Sequence, residues 1–323
     1  MAAFVESKTR GRQIERIEML SFAALKPVDP PISALVGRRI RACGRRGKFL
    51  LVETVGDDPA DAGTTPTRLW LVVHFARTGW LRWRDASSAP RGRGGTGPAR
   101  AKQDPSSTVG ASPELRAIPQ AAATQPSLRG GPLAMRVMLD DGSGFDLTEA
   151  GTQKRLAVHL VRTPEAVEGI ARLGIEPLDP SFDAEALGRL LAGRTAQLKH
   201  LMADQSVIAG VGNAYSDEAL HAARLSPFRP AGNLSVDEVA RLHRALRDVL
   251  GEALVRNDGL PASSLKDEKR SAMRVHGRTG LPCPVCGDTV REVAFADRTL
   301  QYCPTCQTGG RPLADRRLSR LLR

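Results

Sequence analysis

The sequence predicts a multidomain α+β protein, with strands first, helices next and a metal-held β-hairpin last. Three observations carry this. Strand-patterned segments fill the first half, and helix-patterned segments begin near residue 183. Two Cys-x-x-Cys pairs, Cys283-Pro-Val-Cys286 and Cys303-Pro-Thr-Cys306, lie sixteen residues apart near the C-terminus. At 323 residues the chain also exceeds the usual size of one hydrophobic core, so two or three domains are expected.

The strands come first. Arg12 to Ile17 partly alternates, Lys48 to Val52 follows a basic turn, and Leu69 to Phe75 is a continuous apolar run suited to a buried strand. Met135 to Thr148 resumes strand character around Asp140-Asp141-Gly142. Between them, residues 85 to 130 are crowded with Gly, Pro, Ser and Ala. Such a segment buries too little apolar area to offset its ordering entropy, and it reads as a disordered insertion. Residues 54 to 67 read as a smaller insertion. Cys43 reads as a small residue near a strand, with no assigned role.

Helices follow. Asp183 to Leu191 forms a short one, Thr195 to Met202 continues the pattern, and Asn213 to Ala223 carries Ala214, Ala219, Leu220 and Ala223. Ser235 is the expected N-cap of Val236 to Val255, with Glu238 three residues later completing a capping-box signature. Asn257 to Thr279 is a basic linker. No internal repeat is apparent.

The paired cysteines supply the donors that a tetrahedral zinc ion requires, and four thiolates close its shell. The expected ion, Zn2+ held by Cys283, Cys286, Cys303 and Cys306, is therefore structural and not a catalytic Lewis acid. Val290 to Phe295 and Arg298 to Tyr302 are expected to pair as a hairpin. Residues 266 to 323 carry twelve Lys or Arg against six Asp or Glu. A rigid, positive hairpin suits phosphate contact. Upstream, Gly210-Val211-Gly212-Asn213 leads into a helix. The glycines permit close backbone approach, Asn213 is a candidate cap, and the amides at a helix start favour an anion. The spacing matches neither a Rossmann nor a Walker pattern. A plain tight turn and a phosphate site both fit these residues taken alone.

The composition narrows the classes further. A formal charge of +12 favours a polyanionic partner without naming it. Five cysteines, four of them in one cluster, are metal arithmetic and not a secreted disulfide framework. The first 35 residues show no signal-type apolar core, and no stretch approaches a membrane span. A cytoplasmic, nucleoid-associated protein is expected.

These residues carry a resemblance. The sequence resembles the formamidopyrimidine-DNA glycosylase and endonuclease VIII family, especially an actinobacterial branch, from about residue 12 through Arg323 apart from the two insertions. The resemblance implies a β-sandwich over residues 1–165, a helix–two-turns–helix DNA-binding domain over 175–265 and a zinc-finger β-hairpin over 270–323, with DNA in the cleft between. Leu201 to Pro227 matches the helix–two-turns–helix signature, placing Asn213 at the phosphate-binding asparagine, and Lys199 aligns by its offset. Arg298, five residues before the third cysteine, matches an arginine that grips phosphates around an extruded nucleotide. Arg46-Gly47-Lys48-Phe49-Leu50 matches the segment with a lysine at the damaged nucleotide, which makes Lys48 the candidate catalytic residue. Its amine suits phosphate contact or, deprotonated, an imine with an opened sugar. His74-Phe75-Ala76-Arg77-Thr78-Gly79 matches a loop that wedges into the helix void, with Arg77 where many relatives carry Met; a packed histidine and a DNA contact both remain open for His74. The usual Pro-Arg-Arg-Phe-Gly loop is replaced by Ala150 to Arg155.

What the resemblance implies is a monomeric DNA-repair enzyme acting on damaged or abasic double-stranded DNA. It would turn an oxidised base out of the duplex, remove it, and cleave by β- and δ-elimination through a Schiff base. Relatives use an N-terminal proline amine with an adjacent glutamate. This chain opens Met1-Ala2-Ala3-Phe4-Val5-Glu6, and Pro27 and Pro30 are internal amides. Two expectations follow: a start codon lying upstream of a complete enzyme, or a homologue that binds damaged DNA with impaired or no catalysis. An RNA-binding zinc ribbon is a weaker third, because no stacking-aromatic pattern supports it.

Overall fold

The structure, a computed structural model, describes residues 1–26, 30–56, 67–86, 131–258, 260, 264–265, 268, 271–295 and 299–314. Most of the expected 85–130 insertion, and most of 54–67, lie outside these residues. So does Arg298.

The chain begins with helix α1 (Ala2–Thr9), which the sequence reading did not expect. Val5 is fully buried, and Thr9 Oγ1 lies 3.6 Å from Cys43 Sγ, so the helix packs down on a strand. Burial pushes the Cys43 thiol up to about 11, as expected of an inert core cysteine.

Nine strands follow: β1 (Ile14–Met19), β2 (Leu25–Lys26), β3 (Arg39–Arg46), β4 (Phe49–Val55), β5 (Arg68–His74), β6 (Gly79–Arg84), β7 (Leu133–Leu139), β8 (Gly144–Glu149) and β9 (Ala157–Val161). They form two sheets, ordered β1-β7-β8-β6 and β2-β9-β5-β4-β3. One core lies between them, with Ile14, Leu81, Val137 and Leu147 from the first sheet meeting Ile40, Val52, Leu71 and Leu160 from the second. This is the expected sandwich, and apolar burial of this kind is worth about 25 cal/mol per Å². The β7–β8 hairpin turns at Asp140-Asp141-Gly142, where Gly142 takes a φ of +77°. Asp141 Oδ1 accepts from Ser143 N and Ser143 Oγ, which holds its carboxyl below the usual range.

The second half is helical: α2 (Glu168–Ala171), α3 (Ala184–Leu191), α4 (Leu198–Ala203), α5 (Asn213–Ala222) and α6 (Val236–Asn257). Asp183 caps α3 by accepting from Ala186 N at 2.7 Å. The capping box of α6 is complete: Ser235 Oγ accepts from Glu238 N, and Glu238 Oε2 accepts from Ser235 N. One expectation shifts. Residues 195–197 are not helical, because Gln197 bridges to Pro230 and Leu198 N donates to Arg229 O; α4 starts only there. Leu187, Leu201, Leu220, Leu242 and Leu246 form the helical core.

Last comes the ribbon. Strands β10 (Arg291–Ala294) and β11 (Thr299–Tyr302) pair in register from Arg291↔Tyr302 to Ala294↔Thr299, as the hairpin expectation required. A one-turn helix, Pro304–Thr308, carries the last cysteine. Among the described residues, no helix is long and apolar enough to cross a membrane.

Candidate functional site

The turn before α5 is built around Gln205. Its Oε1 accepts from Gly210 N at 3.0 Å, and its Nε2 donates to Val211 O at 2.6 Å. Gly210 sits at φ +81°, a left-handed position where a side chain would be strained. The turn faces the β3–β4 hairpin of the sandwich. A Cβ on Gly212 would stand 3.2 Å from Lys48 Nζ, and one on Gly210 would stand 3.2 Å from Arg45 Nη1. Lys48 is exposed, whereas the adjacent Gly47 is buried and donates its N–H to Glu176 Oε1 at 2.5 Å. Glu176 also pairs with Arg45 at 2.9 Å. One carboxylate thus pins the hairpin that presents Lys48.

One expectation about the turn is corrected. Asn213 does not cap α5: Gly212 is the N-cap, and no side chain serves that role. Asn213 Nδ2 instead donates to Thr299 O on β11 at 2.6 Å, tying the helix to the ribbon. Lys199, which the resemblance sets among the DNA-binding residues, lies inside the fold. It is buried, and its ammonium donates to Asn213 O at 2.6 Å, Ser216 Oγ at 2.8 Å and Asp217 Oδ1 at 2.6 Å. These three bonds hold the ammonium inside the fold. The physical reason is Asp217, one helical turn inside α5, whose buried carboxylate draws the lysine inward. A cavity of about 80 Å³ remains between Lys199, His200, Asn213, Phe295 and Thr299.

The wider bracing is acidic. Asp217 Oδ2 lies 2.7 Å from His276 Nδ1. Glu218, 3% exposed, accepts from the backbone N–H groups of Arg274, Val275 and His276 at 2.8, 2.9 and 2.8 Å. Gln307 Nε2 donates to Leu225 O at 3.0 Å. Buried polar groups satisfied in this way fix one geometry. None of these partners is legible in the sequence, although an adjacent Asp-Glu pair in a helix without Lys or Arg was a usable signal.

His74 ends β5 with its ring 4.8 Å from that of Phe49. Burial, then the Lys48 charge, holds its imidazole below the usual range, so it sits neutral beside the candidate amine. Arg77 is exposed in the turn that follows, next to Ala76 at φ +51°. Residues 150–155 form an exposed loop, closed at its base where Glu149 Oε1 accepts from Arg155 N and Leu156 N.

At the ribbon, Cys283 and Cys306 sulfurs lie 3.9 Å apart, and Cys286 and Cys303 sulfurs 3.3 Å apart. Zn–S bonds of about 2.3 Å set tetrahedral edges of roughly 3.8 Å, so the donor set fits zinc. Burial pushes the Cys303 thiol up to about 11, while the backbone N–H of Asp288 draws the exposed Cys286 down. A bound cation would deprotonate these groups and release protons. Sequence reasoning missed a fifth donor. His221, from α5, joins Cys283, Cys303 and Cys306 with all ligand atoms within 4.8 Å of one another. The cluster is consistent with a structural Zn2+ site.

A two-sheet sandwich faces a helical body that carries a thiolate ribbon. Comparison with known proteins assigns this arrangement to a class. Three family models match: the formamidopyrimidine-DNA glycosylase N-terminal domain over residues 1–108, the corresponding H2TH domain over 173–264, and the zinc finger found in FPG and IleRS over 280–309. The formamidopyrimidine-DNA glycosylase of Pelotomaculum thermopropionicum is 31% identical over 315 residues, covering 94% of each chain. An uncharacterized formamidopyrimidine-DNA glycosylase-like protein of Mycobacterium tuberculosis is 61% identical over 151 residues, 47% of this chain and 94% of that one. The crystal structure of MutM (Fpg) from Thermus thermophilus superposes with a TM-score of 0.67 at 29% identity, covering 96% and 97%. Lactococcus lactis Fpg in complex with abasic-site DNA shares the fold, with a TM-score of 0.70 at 22% identity over 95% and 96%. The chain belongs to the formamidopyrimidine-DNA glycosylase family.

Proposed function

We propose that the chain is a DNA-repair glycosylase with abasic-site lyase activity, working on damaged duplex DNA between the sandwich and the helical body. The observation that carries this reading is the approach of Lys48, on the β3–β4 hairpin, to the Gly210–Asn213 turn. An amine from one half thereby meets a backbone anion site from the other. Phosphate at the turn would meet the N–H groups at the start of α5, and Lys48 would reach the adjacent sugar. Arg77 and His74 line the same hairpin edge and are assigned to the duplex side. Asn213 sets the turn against the ribbon, where Arg298 is assigned to backbone phosphate. Lys199 supports the turn from behind.

In the lyase step, the unprotonated Lys48 amine adds to the C1′ aldehyde of an opened abasic sugar, and water leaves as the imine forms. Loss of a C2′ proton then expels the 3′ phosphate and breaks the C3′–O bond. The imine acts as the electron sink.

Duplexes carrying a formamidopyrimidine, an oxidised pyrimidine or an abasic site test the reading. Base release and strand cleavage on at least one of them are expected. Tight abasic-duplex binding without base release or cleavage would leave a noncatalytic damage binder instead.

A further inference from the structure

We propose that His221 is a reserve ligand of the metal centre, coordinating zinc when Cys286 does not. The proposal concerns the ion alone and stands whether or not the repair reading does. His221 belongs to α5, while the four cysteines belong to the ribbon, so the site spans two parts of the chain.

The geometry is already close to coordination. His221 Nε2 lies 3.3 Å from Cys283 Sγ. Bonds of about 2.0 Å to nitrogen and 2.3 Å to sulfur make a tetrahedral N···S edge of roughly 3.6 Å. The widest allowance in the His221, Cys283, Cys303, Cys306 group is 4.8 Å, so a movement of about an ångström closes a shell with one imidazole and three thiolates.

Cys286 is the member most easily lost. It is the exposed one, whereas Cys283 and Cys303 are 2% and 0% exposed. His221 is equally enclosed, at 2% exposure. Cys286 can be displaced toward solvent while the other donors are held by the fold.

His221 Nδ1 explains why it is the reserve and not the resident ligand. A ligating histidine usually donates its second N–H to a partner. Nδ1 is buried and has no hydrogen-bond partner. With Cys286 in place, Nε2–H donates to the Cys283 thiolate and the ring needs no proton on Nδ1. When Cys286 leaves, the proton moves to Nδ1, Nε2 binds the ion, and the unpartnered N–H makes this shell the weaker one.

The test uses the full-length zinc protein. Cys286→Ser is expected to keep one zinc per chain, with affinity in chelator competition reduced roughly 10- to 100-fold. X-ray absorption of that variant should show three sulfur neighbours, one nitrogen and the outer scattering of an imidazole ring. His221→Phe alone should keep four sulfur neighbours, and Cys286→Ser/His221→Phe should lose stoichiometric zinc. His221→Asn, paired with circular dichroism, separates ligand loss from misfolding. A zinc-free Cys286→Ser protein, a shell of three sulfurs and an oxygen without imidazole, or a folded double variant that binds zinc as well as Cys286→Ser would each overturn the proposal.

Discussion

The two junctions of the helical body are built differently. Toward the ribbon, contacts are buried and polar: Glu218 takes three backbone N–H groups, Asp217 joins Lys199 to His276, and Asn213 reaches Thr299. Toward the sandwich, Val167, Ile170 and Leu173 pack on Phe49, Leu51, Trp70 and Val72, and beside this small apolar cluster lie an Arg45–Glu176 pair whose arginine is 43% exposed and the Gly47 N–H on the same carboxylate. At the first junction the acceptors Asp217 and Glu218 are buried at 1% and 3% exposure, so losing one leaves orphaned donors. The second is a small apolar cluster edged by a half-exposed ion pair. The helical body is thus tied to the ribbon through buried carboxylates and to the sandwich that carries Lys48 mainly through apolar contact.

The largest break in that comparison is metal removal. Structural zinc contributes apparent energies of about 10–16 kcal/mol, so chelation should melt the ribbon and abolish DNA binding while the sandwich keeps its strands. Hydrogen exchange resolves the two halves, and rebinding zinc should release protons. Next is Asp217→Asn, which leaves buried Lys199 without its counter-charge. A loss of about 3–5 kcal/mol is expected in denaturant unfolding. The α6 cap is smaller: Ser235→Ala should cost about 1 kcal/mol. Its pH dependence has a definite sign. The Ser235 backbone N–H holds the Glu238 carboxyl below its usual value, so this stabilisation is present above the unfolded carboxyl pKa. It is lost as pH falls through the depressed folded value, and the difference between Glu238→Ala and the parent should shrink below about pH 4. The smallest effect belongs to the half-exposed ion pair at the sandwich junction, where Arg45→Ala should change stability by under about 1 kcal/mol. A loss comparable to that of Asp217→Asn would erase the distinction between the junctions.

Much of the fold was legible in the sequence because its signals are local. The Leu69–Phe75 run gave β5, Ser235 and Glu238 gave the α6 start, and the Cys-x-x-Cys spacing gave the ribbon. The site was legible where a motif specifies backbone shape, as at Gly210. It was illegible where meaning depends on a distant partner. The sequence offset of Lys199 says nothing of its ion pair with Asp217, and Asn213 reads as a cap until Thr299, 86 residues on, takes its amide. His221 looks like one more helical residue, because its partner Cys283 lies 62 residues away. Helix α1 was missed because its few apolar positions are paired with polar ones, and only the docking of Val5 reveals its buried face.

The central claim is that Lys48, facing the Gly212 turn, meets the opened sugar of an abasic site. Borohydride trapping on an abasic duplex, followed by mass mapping of the cross-linked peptide, tests it most directly. The adduct should map to Lys48 and fall by at least about 100-fold in Lys48→Ala, some 2.7 kcal/mol of lost chemistry. An adduct of undiminished yield in Lys48→Ala, mapped to another amine, would contradict it.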